Sequence, residues 1–200
     1  MTRARKLGRP AVLADLDDLP PTWRGEILGG ELYAFPRPRF AHAHVEGYVY
    51  MDICSPFERG HGGGPGGWWI LVEPGIHLPS AAEFSPDVAG WRRTTMLTPP
   101  RSGPITAVPD WLCEILSPRT RGYDLVVKRR FYAEIGVSHL WYVDPAARAL
   151  TVSRLQDGHW VELGVHGPDE TVRAEPFEAV AIDLSQWWSG LPEEPTEDEA

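Results

Sequence analysis

Apolar positions along the chain follow helical spacing in some segments and strand spacing in others. Residues 41–53 carry apolar side chains at positions 45, 48, 49 and 53, which predicts a long helix that ends at Pro56. A second long helix is predicted over residues 124–135, with Gly136 directly after it. The segment Trp111–Ser117 is almost continuously apolar, which is typical of a strand that is buried on both faces.

Shorter elements complete the predicted order. A short helix and a turn are expected within residues 11–28, and another short helix at 184–188. Further strands are predicted at residues 31–35, 68–73, 76–78, 87–91, 139–143, 149–155, 159–163 and 180–184. The order of helix, strands, helix and strands favours an α/β (α+β) fold, in which a mixed central sheet is flanked by helices.

The length of 200 residues suits one domain with a sizeable core. We expect a flexible basic N-terminus at residues 1–10, a single domain at residues 11–190, and an acidic, disordered tail at residues 191–200. The tail holds five acidic residues between Glu193 and Glu199, which leaves 23 acidic and 19 basic residues elsewhere.

Composition limits where the protein acts. The chain is 42% hydrophobic and 24% charged, as is usual for a globular protein. No apolar run reaches the roughly 20 residues that span a bilayer, so no membrane association is expected. Its two cysteines, Cys54 and Cys113, lie in apolar segments and are interpreted as reduced core thiols rather than a disulfide. A reducing compartment and the lack of a secretory signal at the N-terminus favour a cytoplasmic location.

Charge also bears on possible partners. The net charge of −9 argues against a protein that coats nucleic acid through bulk electrostatics. The bases nevertheless cluster in one short stretch, which contains Arg119, Arg121, Lys128, Arg129 and Arg130. Either these form a locally positive surface for a polyanion, or they are ordinary solvated charges on a helix face.

Glu114 is the most informative single residue. In the predicted strand it shares a face with Leu112 and Leu116, because side chains alternate along a strand. A carboxylate in such surroundings is costly unless it is paired, protonated or bound to a metal. Glu114 is therefore either a metal ligand or the structural partner of a basic residue such as a nearby arginine.

Two further residues would complete a hydrolytic site with Glu114. Asp87 follows Pro86 at the start of a predicted strand, where proline presents the next side chain rigidly. Lys128 lies on the helix after the Glu114 strand and shares a face with Asp124 and Tyr132, although Asp124 and Lys128 could equally form a surface ion pair. Two carboxylates can hold Mg²⁺ or Mn²⁺, and an ammonium can stabilise the charge that develops on an attacked phosphate.

The sequence resembles the Uma-two family of restriction endonucleases, a branch of the PD-(D/E)xK nuclease superfamily. The resemblance covers roughly residues 11–188. The matching stretches are Gly30–Leu32, His44, Phe84–Val88, Pro109–Pro118, Asp124 with Lys128 and Tyr132, and Gly136–Pro145.

The resemblance implies a restriction-endonuclease-like fold, Asp87 and Glu114 as metal ligands, and Lys128 as the catalytic lysine. This chain departs from the superfamily pattern, because the residue two positions after Glu114 is Leu116 and not lysine. The implied function is metal-dependent phosphodiester hydrolysis by a homodimeric DNA endonuclease, with RNA or branched DNA as another possible substrate. The alternative is a catalytically inactive domain that keeps the nuclease fold and binds nucleic acid or protein.

Second-tier candidates for the site are Glu31, His44, Glu73 and Asp124. Glu73 ends a predicted strand and is either a third carboxylate of the site or the cap of a turn. His44 lies two residues after His42, a spacing that does not place both side chains on one helix face, so a paired-histidine metal site is not expected.

Overall fold

The computed structural model of the protein describes residues 3–5, 7–80 and 82–191. The acidic tail predicted at residues 191–200 lies outside the described residues except for Leu191. The strands are β1 (Arg3–Arg5), β2 (Trp23–Leu28), β3 (Glu31–Pro36), β4 (Trp68–Val72), β5 (Ile76–His77), β6 (Glu83–Phe84), β7 (Val88–Arg92), β8 (Trp111–Ile115), β9 (His139–Asp144), β10 (Ala149–Gln156), β11 (His159–His166), β12 (Thr171–Val172) and β13 (Ile182–Asp183). The helices are α1 (Ala14–Asp17), α2 (Phe40–Phe57), α3 (Arg129–Glu134) and α4 (Ser185–Trp188), with a 3₁₀ turn at His61–Gly63 and a π-helix at Tyr123–Lys128.

A six-stranded mixed sheet forms the centre of the molecule, in the order β11-β10-β9-β8-β7-β4. Strands β8 and β9 pair in parallel, whereas the other neighbours in this sheet are antiparallel. A parallel pair needs a long crossover connection, and the π-helix followed by α3 supplies it. The predicted mixed sheet with flanking helices is therefore confirmed.

A second sheet, with the order β1-β3-β2-β6-β5, is antiparallel throughout. Strand β2 lies where a short helix and a turn were predicted, so that prediction holds only for α1. Within the expected N-terminal segment of residues 1–10, Arg3–Arg5 pairs with Ala34, Tyr33 and Leu32 of β3. No helix among the described residues is long and apolar enough to cross a membrane.

Strand β8 separates the two halves of the core, and all five of its residues are buried. Trp111, Cys113 and Ile115 face a cluster formed with α2 and the C-terminal segment. Leu112, together with Leu116 just beyond the strand, faces the opposite cluster, which includes residues of the π-helix and α3. This alternation places Glu114 on the second face, as the sequence predicted.

Two predicted helices differ in detail from those in the structure. Helix α2 continues through Pro56 to Phe57 instead of ending at Pro56. The helix after β8 begins as six residues of π-helix before it becomes α-helical, and π-turns are frequent at functional sites. Gly136 has a φ of +82°, a conformation that favours glycine and that ends this helix as predicted.

Candidate active site

A cavity of about 460 Å³ lies above the C-terminal end of β8. Its walls come from the segment that joins β3 to α2, from the start of α2, and from the segment between β8 and the π-helix. Four charged residues that the sequence singled out line it together: Asp87, Glu114, Asp124 and Lys128. All four are buried, so the charged groups form the base of a recess rather than an exposed patch.

Glu114 and Lys128 form a direct ion pair at the base of the cavity. The ammonium of Lys128 donates to both carboxylate oxygens of Glu114, with Nζ–Oε1 and Nζ–Oε2 distances of 2.9 and 3.0 Å. The hydroxyl of Tyr132 also donates to Glu114 Oε1. The partner of Glu114 is therefore a lysine from the following helix, and not an arginine.

Lys128 has two further carboxylate neighbours. Its Nζ lies 3.3 Å from Oε1 of Glu26 and 4.0 Å from Oδ1 of Asp124. The alternative of a solvent-exposed pair between Asp124 and Lys128 is wrong, because these residues are only 4% and 3% exposed. Although burial lowers the pKa of Lys128, the surrounding carboxylates raise it well above its usual value, so the ammonium stays charged.

Asp87 is held beside Glu114 by the backbone of β8. The backbone N–H of Ile115, the residue after Glu114, donates to Asp87 Oδ2 over 2.7 Å. The other oxygen, Oδ1, lies 3.1 Å from Nε2 of His42, although the pair does not have hydrogen-bond geometry. Burial, followed by the charges of Arg24 and Lys128, lowers the pKa of His42 to about 4, so the imidazole is neutral at pH 7.

The site concentrates carboxyl groups away from water. Burial raises the pKa of Asp87 and of Glu114 to about 8, and the Lys128 ammonium opposes this rise in both. Burial likewise raises the pKa of Asp124 and of Glu46 to about 7. Among the described residues Lys128 is the one buried basic side chain. Carboxylates therefore outnumber the buried cation, and the site favours protons or an additional cation.

The residues fit a hard divalent cation by their chemistry. No group of three or more histidine, cysteine, aspartate or glutamate side chains within the described ranges is arranged to hold a metal ion. Asp87 and Glu114 nevertheless line one cavity, and oxygen atoms of carboxylates are the ligands that Mg²⁺ prefers. Mg²⁺ also keeps several waters, so two protein carboxylates are an adequate donor set.

Comparisons with known proteins identify the family and the fold of the chain. A family model described as "Uma2: Putative restriction endonuclease" matches residues 13–185. The chain belongs to this family. The resemblance seen in the sequence is thereby confirmed, and family membership indicates a nuclease of the restriction-endonuclease type.

A solved structure shows the same fold as this Uma2 family chain. It is a crystal structure from Anabaena variabilis described as "a putative nuclease belonging to DUF820". The two chains are 20% identical and superpose with a TM-score of 0.68, over 90% of this chain and 98% of the other. No curated protein matched the chain in sequence.

Three second-tier candidates lie away from the cavity. Glu31 is exposed and accepts a hydrogen bond of 2.8 Å from the hydroxyl of Tyr33. The ring Nε2 of His44 is 2.8 Å from the carbonyl oxygen of Ser189. Glu73 is not among the residues that line the cavity, and pairs instead with Arg24, which does line it. The fourth second-tier candidate, Asp124, does line the cavity and lies next to Lys128.

The basic cluster that the sequence singled out lies only partly at the cavity. Arg119 lines the cavity, together with Arg24, Arg37 and Arg39, which the sequence did not single out. Arg121 instead forms an ion pair with Asp144. The guanidinium of Arg129 lies 6.0 Å from the centre of the Trp160 ring, and Arg129 does not line the cavity.

Sequence reasoning missed three residues that surround the charged centre. Glu26 accepts hydrogen bonds from the Tyr123 hydroxyl at 2.6 Å and from the Ser85 N–H at 3.0 Å. Strand β2, which carries Glu26, was not predicted. The one sequence signal there is the apolar Ile27 directly after Glu26. His42 and Glu46 lie four residues apart in α2, so both side chains share one face of the helix. This spacing could have identified them as candidates from the sequence.

Proposed function

We propose that the protein is a metal-dependent endonuclease that hydrolyses phosphodiester bonds in DNA. The observation that supports this most strongly is the buried pair of Glu114 and Lys128 beside Asp87, within one cavity that opens to solvent. Two carboxylates and an ammonium are sufficient for phosphodiester hydrolysis when a divalent cation is bound. Leu116 occupies the superfamily's usual lysine position, and Lys128 brings the ammonium to Glu114 from the next helix.

In this proposal Asp87 and Glu114 hold Mg²⁺, or Mn²⁺ in its place. The bound cation would lower the pKa of a water molecule and neutralise charge on the attacked phosphate. The Ile115 N–H fixes one oxygen of Asp87, so this carboxylate keeps a single orientation. Tyr132 fixes Glu114 in the same way, and the charged Lys128 Nζ supplies positive charge where negative charge develops on the phosphate.

Arginine side chains at the cavity would position the nucleic-acid backbone. Arg37, Arg39 and Arg119 are exposed and line the cavity, and guanidinium groups match phosphate geometry by donating two hydrogen bonds. The acidic protein therefore presents positive charge at the one place where a polyanion must approach. This supports nucleic acid as the partner, with RNA as a second possible substrate.

Isothermal titration calorimetry with Mg²⁺ and Mn²⁺ tests the metal site. We expect saturable binding to the wild-type protein that Asp87→Asn weakens at least about 10-fold, because a carboxylate ligand becomes a neutral amide. Arg130→Gln is the matched control, since Arg130 is exposed and pairs only with the neighbouring Glu134. Metal binding that is identical in wild type and Asp87→Asn would contradict the assignment.

A second candidate function is a catalytically inactive domain that binds nucleic acid or protein. It is favoured by the observation that Lys128 engages both oxygens of Glu114, which leaves neither oxygen without a partner. This candidate predicts no metal binding in the calorimetry but retained binding of oligonucleotides or a protein partner. The two functions therefore separate in the same experiment.

The proposal also includes a homodimer in the cytoplasm. Strand β11 is at the edge of the central sheet, and it exposes Val161, Leu163 and Val165 by 39%, 38% and 58%. Exposed apolar residues on an unpaired strand edge are suited to pairing with a second copy. Cys54 and Cys113 are both buried free thiols, which supports a reducing compartment.

A further inference from the structure

The recess above the carboxylates has the size of a pocket for one nucleotide. Asp87, Glu114 and Lys128 are 7%, 1% and 3% exposed, so a substrate reaches them only through the cavity. Its volume of about 460 Å³ lies in the range of pockets that enclose one small molecule. A phosphate that shares a cation with these carboxylates must approach within a few ångströms of them. A single strand, whose backbone is not held by a partner strand, can bend a phosphate into such a recess more easily than a stiff duplex can.

The backbone that forms the walls of the recess is rigid. Pro36, Pro38, Pro118 and Pro145 all line the cavity, and proline fixes the backbone torsion φ. The backbone of β3, which ends at Pro36, is further held in register by β2. The cavity is therefore expected to keep its shape when a substrate binds.

A row of aromatic rings begins next to the cavity, on a face of α2 that does not line it. Phe40 is 66% exposed and lies between Arg39 and Ala41, both of which line the cavity. Its ring stacks on that of His44, with centroids 5.5 Å apart and an interplanar angle of 27°. The His44 ring in turn lies 4.9 Å from that of Tyr48, so the row follows one face of α2.

Arginines and an exposed aromatic ring together suit an unpaired strand. Proteins that bind single strands combine a positively charged groove for the backbone with aromatic side chains on which bases stack. In a duplex the bases already stack on one another and offer no free face to Phe40. Enzymes that act on a base inside a recessed pocket likewise take single strands or nucleotides turned out of the helix.

We propose that this site takes a single-stranded segment of nucleic acid, such as a free end, a flap or an unpaired loop. This inference rests on the proposed nuclease function and specifies its substrate. Arg37, Arg39 and Arg119 hold the backbone of the strand at the cavity, and Phe40 stacks on a base of the strand that lies outside the cavity.

Fluorescence anisotropy measures this preference without any cleavage. A labelled single-stranded DNA oligonucleotide and the same oligonucleotide in a blunt duplex are titrated with the protein in EDTA at constant salt. We expect the single strand to bind at least about 10-fold more tightly than the duplex. Phe40→Ala should weaken single-strand binding by about 10-fold, the lower part of the range for loss of one base–aromatic stack.

Met51→Ala is the matched control, because Met51 is 54% exposed on the same helix but, unlike Phe40, has no cavity-lining residue next to it in the chain. This variant should bind the single strand like the wild type. Equal or tighter binding of the duplex, or an equal loss of affinity in Phe40→Ala and Met51→Ala, would overturn the inference.

A cleavage assay on both substrates with Mg²⁺ separates this inference from the nuclease proposal. Cleavage of the single strand, or of a flap, well above that of the duplex supports both. Cleavage of the duplex alone leaves the nuclease proposal standing and overturns the single-strand inference. Tight single-strand binding with no cleavage of any substrate supports the inference and contradicts the nuclease proposal.

Discussion

Replacing Glu114 by glutamine makes the side chain neutral at every pH while keeping its shape. The wild-type carboxylate accepts hydrogen bonds from Lys128 at 2.9 and 3.0 Å and from Tyr132. Loss of one partner of a buried ion pair costs about 3–5 kcal/mol when the other charge is left alone. In this protein the remaining charge is not alone, because Glu26 lies 3.3 Å from the ammonium.

The expected cost of Glu114→Gln is therefore smaller. The substitution also removes repulsion between Glu114 and the neighbouring Asp87 and Glu26, which help to raise its pKa. We expect the free energy of unfolding in metal-free buffer to stay within about 2 kcal/mol of the wild type. Lys128→Met removes the one buried basic group of the described residues, and we expect it to cost about 3–5 kcal/mol.

Urea denaturation with and without saturating Mg²⁺ or Mn²⁺ tests this reasoning. Metal at about 100 times its dissociation constant should stabilise the wild type by about 2.7 kcal/mol and leave Glu114→Gln unchanged. If Glu114→Gln unfolds the protein, or destabilises it more than Lys128→Met, then Glu114 is a structural partner of Lys128. The metal-ligand assignment would in that case be wrong.

The remaining predictions concern pH, the second carboxylate and assembly. Because burial raises the pKa of Asp87 to about 8 in the folded protein, its contribution to stability is complete below the unfolded pKa of about 4. That contribution is lost as pH rises through 8. The free energy of unfolding of the metal-free protein should therefore fall by about 1 kcal/mol per such carboxyl between pH 7 and pH 9. A free energy of unfolding from chemical denaturation that does not change over this range would refute the prediction. His42→Asn should weaken Mn²⁺ binding about 10-fold in calorimetry, because the His42 ring packs against Asp87, with Nε2 3.1 Å from Oδ1, and restricts the orientation of that carboxylate. Unchanged affinity would show that His42 does not orient Asp87. Light scattering should give twice the monomer mass for the wild type and the monomer mass for Val165→Lys, because Val165 is exposed on the edge strand β11. A monomer mass for the wild type would contradict the homodimer.

The central part of the fold was predictable because its signals are local. The apolar run of β8 identified a strand buried on both faces, and alternation along that strand placed Glu114 against Leu112 and Leu116. The helical spacing around Val45 and Val49 likewise identified α2. These patterns were readable because the spacing of apolar residues along the chain reflects which face of each element is buried.

The periphery of the site was not predictable in the same way. Glu26 reaches Lys128 from β2, whose pairing with β3 and β6 joins segments distant in the chain. His44 was chosen over His42, because only the three-dimensional orientation of α2 shows which of the two histidines lines the cavity. The π-helix was also missed, since a single sequence contains no simple signal for the wider turn.

The most direct test of the account is hydrolysis of a labelled DNA that contains a single-stranded flap, measured under single-turnover conditions with Mg²⁺. The account predicts cleavage by the wild type that EDTA abolishes and that Asp87→Asn and Glu114→Gln each reduce at least about 100-fold, while Arg130→Gln cleaves normally. Cleavage that persists in EDTA, or that is equal in wild type and both carboxylate variants, would contradict a metal-dependent nuclease centred on Asp87, Glu114 and Lys128.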